Sequence, residues 1–366
     1  MTATAEHDDA FMRRALGLAE KYRGRTSPNP IVGCVIVDDH NSILAEGAHR
    51  ALGAPHAEVE ALAKLGGNAR GATMYVTLEP CTHHGRTPPC APAVVASGVS
   101  RVVVGTEDPV AGHGGGMAIL RQAGIAVDRA LVAECDASNR PFLTWAKHGR
   151  AAFTLKAAIS LDGKIATVRG QSRWITGEAA RADVHHLRDT HDAVLVGIGT
   201  VLADDPQLTA RLPDARDPIR IVVDSGLRIP ATAKLVTGTG PRTIVATTDM
   251  AERAAEQVLV AAGVEVWRFA PANGQVPLEQ LAAQLGKEGI TSVLVEGGGQ
   301  VHASFLQSEL ADELVIYVAP KVLGGPAPSW VGGAGVPNLA AAYGFRFAGE
   351  VVRFGDDLRI RAVRRT

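Results

Sequence analysis

Three kinds of side chain in this sequence have the types and spacing for hydrolytic chemistry at a metal. His56-Ala57-Glu58 is followed by Pro80-Cys81 and then by Cys90. One imidazole and two thiolates form a donor set suited to zinc, which takes nitrogen and sulfur ligands tetrahedrally. Three protein ligands leave a fourth position for water, so the pattern points to a catalytic rather than a structural ion, one per chain. Zinc brings a bound water's pKa to about 7, and Glu58 would carry that water's proton to a departing nitrogen. Taken singly, each residue reads as an ordinary buried His or Cys; the conjunction carries the assignment. Cys34, inside an apolar run, reads as core, and Cys135 has no partner motif.

The order H-x-E, then P-C, then a second cysteine is that of the zinc deaminases. Residues two apart on a helix do not share a face, so His56 and Glu58 converge only at a helix start, which Pro55 favours. A helix N-terminus near Cys81 or Cys90 would favour the thiolate. In the second half, the strand SVLVE runs into Gly297-Gly298-Gly299 and a helix, a turn in which backbone N–H groups can approach phosphate. A tight strand-to-helix turn is the plainer reading of those glycines.

The elements that position these residues follow from the hydrophobic pattern. An amphipathic helix is predicted over 9–23, strands over 31–37 and 72–80, and a helix over 55–65. ILAEG, a short helix CAPAVVASG and the strand RVVVG complete an alternating α/β series. Near residue 146 the pattern changes, with KHGRA as the junction. A second series follows, with strands at 193–199, 218–225, 243–248, 264–269, 292–298 and 313–320. Helices are predicted near 178–189, 251–262, 277–287 and 299–307, and the chain closes in antiparallel strands. Asp162-Gly163 reads as a hairpin turn, and Asp204-Asp205-Pro206 as the end of a helix.

Two sets of motifs, one in each half, resemble a single family. Eight residues separate Cys81 from Cys90 where the general signature has two. PNPIVGCVIV, PHAEVEAL and VTLEPCTHHGRTPPC closely resemble the deaminase half of the bifunctional pyrimidine deaminase/reductases of riboflavin biosynthesis. LKAAISLDGKIA, SRWITG, VGIGTVLADDPQLTAR, RIVVDS, VEGGG and APKVLGG resemble its reductase half, in the same order. The resemblance implies an α/β fold: a cytidine-deaminase-like α/β/α domain over 1–147, then a dihydrofolate-reductase-like α/β domain over 148–366. It implies zinc on His56, Cys81 and Cys90, Glu58 as proton shuttle, and Asn29, His49, His83 and Arg86 on a phosphorylated pyrimidine. For Arg86 the chemistry agrees, since a guanidinium pairs bidentately with phosphate.

For the second half it implies NADPH contacts at Ala158, Trp174, Thr200, Asp204, Ser225 and Gly298, Gly299, Gln300, Val301, His302, Ala303 and Ser304. It implies substrate contacts at Ser172, Arg188, Leu208, Arg211 and Glu296, with the two arginines suited to clamp a sugar phosphate. Trp174 reads equally as a core residue, and no proton donor for the reduction is named. The stretch Asp108-Pro109-Val110-Ala111-Gly112 departs from the family's longer D-P-N-P-x-V-A-G loop and lacks its Asn. The implied reactions are hydrolytic deamination of 2,5-diamino-6-ribosylamino-4(3H)-pyrimidinone 5′-phosphate and reduction of the ribosyl to a ribityl side chain.

Composition narrows the classes. At 366 residues, with 46% hydrophobic and 20% charged, the chain has material for two cores and is neither disordered nor collagen-like. A net charge of −1 and 4% aromatics give no footprint for nucleic acid, which sets a nucleic-acid-editing deaminase below the first reading. A non-catalytic zinc module is disfavoured by Glu58 and by only three ligands. No apolar run approaches a membrane span, four cysteines are too few for a disulfide scaffold, and MTATAEHDDA has no secretory h-region, so a cytoplasmic protein is expected. The resemblance suggests a homodimer.

Overall fold

A computed structural model describes residues 3–85 and 87–365, with side chains from residue 6; Arg86 lies outside the described residues. The chain divides into two compact units, Met1–Gly149 and Arg150–Thr366.

In the first unit, helix α1 (Ala3–Glu20) precedes β1 (Gly33–Val37) and β2 (Ile43–Ala48). Then come α2 (Ala57–Ala63), β3 (Thr73–Leu78), α3 (Cys90–Ala96), β4 (Arg101–Thr106), α4 (Gly116–Gln122), β5 (Ala126–Arg129), α5 (Val132–Ser138) and α6 (Arg140–His148). The strands form one sheet in the order β2-β1-β3-β4-β5. The β1 pairings are antiparallel, and β3-β4-β5 run parallel. The two-residue period of β1 divides the core. Val35 and Val37 pack with Met12 and Ala15 of α1 on one face, while Cys34 and Ile36 meet Ala57, Ala61 and Val94 of α2 and α3 on the other. A side chain at Gly33 would put its Cβ 1.9 Å from the Ala15 carbonyl oxygen, which fixes how closely α1 crosses the sheet. The helix predicted over 9–23 starts earlier and ends at Glu20, before the turn at Tyr22–Arg25.

The second unit runs β6 (Ala152–Ser160), α7 (Glu178–Thr190), β7 (Ala193–Gly197), α8 (Ile198–Asp204), β8 (Ile219–Val223) and α9 (Lys234–Thr237). It continues through β9 (Thr243–Thr248), α10 (Arg253–Ala261), β10 (Glu265–Phe269), α11 (Leu278–Lys287), β11 (Ser292–Val295) and α12 (Gly299–Gln307). It closes with β12 (Ala311–Ala319), β13 (Phe345–Phe347), β14 (Val352–Phe354) and β15 (Asp357–Arg364). The sheet order is β10-β9-β8-β7-β11-β6-β12-β15-β13, with β14 also on β15. From β10 to β12 neighbours are parallel, and β15 pairs antiparallel with β12, β13 and β14. Leu195 of β7 faces one core, with Phe153 and Phe305, and its neighbours Val194 and Val196 face the other. Strand β11 lies between β6 and β7, so the carboxyl ends of these three parallel strands are neighbours. In open parallel sheets ligands sit outside the carboxyl ends of the strands.

Candidate active site

His56 caps α2 with extended backbone, and Glu58 lies in that helix's first turn. The helix expected from Pro55 thus begins two residues later, and it is this start that lets residues 56 and 58 converge. Cys81 lies three residues past the end of β3, and Cys90 is the first residue of α3. The three ligand atoms lie within 4.8 Å of one another. The His56 Nδ1 atom is 3.1 Å from the Cys90 sulfur and 3.6 Å from that of Cys81. Lone pairs from one nitrogen and two sulfurs converge this closely only around a proton or a cation, and this donor set fits zinc. On the far side of the ring, Nε2 lies 3.3 Å from Thr87 Oγ1. Donation from Nε2–H to that hydroxyl leaves the Nδ1 lone pair facing the sulfurs.

The Cys81 thiol is pulled down to about 4, first by its hydrogen bond with Cys90 and then by His56, against burial. Cys90, deeper, is pushed up by its bond to Cys81 and by burial. Burial also pushes the Glu58 carboxyl above the usual range.

His56, Glu58 and Cys81 line a cavity of about 350 Å³, which Asn29, His49 and His83 also line. His49 is buried, with Nδ1 3.1 Å from the Pro55 carbonyl and Nε2 3.1 Å from Asn29 Nδ2. Nδ1–H therefore donates to Pro55, and Nε2 accepts from the Asn29 amide. Burial lowers the affinity of His49 for a second proton, consistent with that neutral tautomer. His49, Asn29 and the start of α2 are thus one hydrogen-bonded frame.

In the second unit the expected contacts gather at the carboxyl ends of parallel strands. Ala158 lies near the end of β6, Thr200 in the helix after β7, Ser225 just beyond β8, and Glu296 to Gly299 just beyond β11. The Gly298 N–H donates to Thr200 Oγ1 at 3.3 Å, joining two of these loops. A Cβ at Gly297 would come within 2.7 Å of the Gly197 nitrogen, and one at Gly299 within 2.6 Å of the Ser329 oxygen. Close backbone approach therefore requires glycine at both positions. Gln300, Val301, Ala303 and Ser304 continue along α12, whose His302 is buried with Nδ1 2.9 Å from the Trp330 carbonyl.

Arg188 is turned onto Glu296, with two hydrogen bonds of 2.6 and 2.9 Å, and donates its third nitrogen to the Thr209 carbonyl. Arg211 is exposed and within reach of Thr209 and Gln207, so the two arginines differ in setting. Leu208 is buried. Ser172 is half-buried in the segment between β6 and α7. Asp204 closes α8, and its carboxylate lies 3.6 Å from Arg173. Trp174 is 62% exposed, with Arg181 over its ring at 4.5 Å. It is therefore no core residue. Asp162 does more than turn a hairpin: its carboxylate accepts the Leu323 and Gly324 N–H groups at 3.0 and 2.7 Å.

Two family models match the chain: the cytidine and deoxycytidylate deaminase zinc-binding region over residues 5–106, and the RibD C-terminal domain over residues 151–353. The riboflavin biosynthesis protein RibD of Bacillus amyloliquefaciens is 41% identical over 362 residues, 97% of this chain and 96% of that one. The chain belongs to the RibD family.

RibD of Escherichia coli is 42% identical over 373 residues, covering 97% and 99% of the two chains. The structure of Acinetobacter baumannii RibD superposes with a TM-score of 0.86 at 38% identity, covering 99% of this chain and all of that one. A Thermotoga maritima structure titled diaminohydroxyphosphoribosylaminopyrimidine deaminase/5-amino-6-(5-phosphoribosylamino)uracil reductase gives 0.85 at 36% identity, covering 99% of each chain. Several working residues of this chain carry no signature in the sequence. Thr87 orients His56. Glu79 accepts the Asp108, Gly115 and Met117 N–H groups and so holds the shortened loop. Lys156 lies 3.9 Å from Glu296. Thr87 is one hydroxyl within the insert between the cysteines, with no local mark of its partner; for Glu79 and Lys156 the signal is tertiary packing, which no local pattern gives.

Proposed function

We propose that the first unit hydrolytically deaminates 2,5-diamino-6-ribosylamino-4(3H)-pyrimidinone 5′-phosphate, and that the second reduces the ribosyl side chain of the product with NADPH. The observation that carries this reading is the His56–Cys81–Cys90 cluster, whose His56 and Cys81 line one cavity with Glu58, in a chain that matches RibD over nearly its whole length. Zinc held by those three residues supplies water activation near neutral pH. Glu58 takes the proton of the attacking water and returns it to the amino nitrogen, so that the ring C–N bond breaks and ammonia leaves. Asn29, His49 and His83 hold the pyrimidine, and Arg86 is assigned to its phosphate.

In the second unit NADPH supplies the hydride. The β11–α12 turn with Thr200 would hold the cofactor's phosphates, with Ala158, Trp174, Asp204 and Ser225 as further contacts. Ser172, Arg188, Leu208, Arg211 and Glu296 would contact the substrate, the arginines being suited to its phosphate. With hydride delivered to C1′, the C1′–O4′ bond would open and O4′ would take a proton from solvent. Full-length likeness to RibD in both halves favours this over nucleic-acid editing. Among the described residues no helix is long and apolar enough to cross a membrane, and a cytoplasmic homodimer is part of the proposal.

The test measures ammonia release and NADPH oxidation on one preparation. Glu58→Ala should abolish the first and spare oxidation of NADPH with the already deaminated intermediate. Deamination at the wild-type rate in that variant overturns the mechanism.

A further inference from the structure

The loop that departs from the family pattern places a residue on the substrate cavity to which the sequence reading gave no role. The His113 ring lies face to face with that of His83, with centroids 3.5 Å apart and planes within 7°, and both line the cavity. His83 has little else to fix it. Its Nδ1 is buried with no hydrogen-bond partner among the described residues. Its Nε2 lies over Gly85, where a Cβ would come within 2.9 Å.

The backbone of His113, by contrast, is fixed from three sides. Its N–H donates to the Val110 carbonyl at 3.0 Å. Its carbonyl accepts from the Thr82 N–H at 3.0 Å and from the Thr82 hydroxyl at 3.1 Å, which bolts the loop to the residue before His83. Two residues on, Gly115 donates to the buried Glu79 carboxylate. Gly114 keeps the turn tight, since a Cβ there would meet the Asp108 oxygen at 2.7 Å. A ring carried on a fixed backbone thus stacks on a ring that no hydrogen bond holds among the described residues.

We infer that His113 is a positioning residue of the deaminase site, holding the His83 ring in its substrate-binding orientation by stacking. The inference rests on the assignment of His83 to the pyrimidine substrate. Stacked aromatic pairs are worth enough to change binding about two- to tenfold.

The experiment compares His113→Ala, His113→Phe, His83→Ala and the double alanine variant of the full chain, by ammonia release from the diaminopyrimidine phosphate. NADPH oxidation with the deaminated intermediate and bound zinc serve as controls on the same samples. His113→Ala should raise KM about two- to tenfold with kcat within about twofold. His113→Phe, which keeps a flat ring, should restore most of the loss. The double variant should match His83→Ala, because one residue acts through the other. An unchanged KM in His113→Ala, a phenylalanine variant as impaired as the alanine one, or multiplying effects in the double variant would each overturn the inference. If His113→Ala does not fold, the phenylalanine variant decides: it supports the inference with a near-normal KM and overturns it with a raised one. A wild-type protein that releases no ammonia overturns the functional reading itself, whereas normal release with an indifferent His113 overturns this inference alone.

Discussion

At the scale of single residues, orientation matters as much as identity. His56 presents Nδ1 to the two sulfurs because Thr87 takes Nε2. Partners of this kind typically tune metal affinity by about 10- to 100-fold. Thr87→Ala should therefore weaken zinc retention by that order, measured by competition with a chelator, while Thr87→Ser keeps most of it. Retention equal to wild type in the alanine variant would remove Thr87 from the site. The sequence made the ligands legible because three chemically rare side chains occur in a fixed order around a glutamate. It left Thr87 illegible because a hydroxyl at that position differs from any loop threonine only once the insert folds back over His56. Likewise, the resemblance assigns Arg188 to the substrate and its charge suits a phosphate, but its partner Glu296 lies 108 residues further on, and nothing local announces that the two meet.

That buried pair sets the behaviour of a larger element, the neighbouring carboxyl ends of β6, β7 and β11. Burial pushes the Glu296 carboxyl up, but Arg188 and Lys156 outweigh it and hold the group down at about 2, against an ordinary value of 4.5. A carboxyl lowered in the folded state stabilises the fold above its unfolded pKa, and that contribution fades as pH falls from about 4.5 toward 2. Calorimetry of the second unit's transition should show this acid slope in wild type and a flatter one in Glu296→Gln; parallel slopes would contradict it. Arg188→Met, which leaves the carboxylate facing only Lys156 at 3.9 Å, should destabilise the unit by about 3 kcal/mol. The glycine turn belongs to the same element. Gly297→Ala forces a Cβ onto the backbone of Val196 and Gly197, so it should destabilise by roughly 1–3 kcal/mol and weaken NADPH binding, read by fluorescence titration. Unchanged affinity would dissociate the turn from the cofactor. The helix–strand alternation was visible in the sequence here, because buried parallel strands read as apolar runs such as those at 243–248 and 292–295. Their order in the sheet was not, since pairing is decided by packing between segments far apart in the chain.

For the whole molecule, two compact units with separate cores predict separable losses. Removing zinc with a chelator should end ammonia release and leave NADPH oxidation of the deaminated intermediate within about twofold, since the three ligands all belong to the first unit. Both activities falling together in one titration would mean that the units depend on one another.

The placement of β11 also bears on how the protein is made. Its partners are β6, which enters the ribosome's exit path about 140 residues ahead of it, and β7, roughly 100 ahead. Until residue 295 emerges, the two flanks of that sheet have apolar edges with nothing between them, exposed to holdases or to premature association. The first 149 residues meet no such delay, so during translation the hydrolytic half is complete and shielded well before the redox half can close.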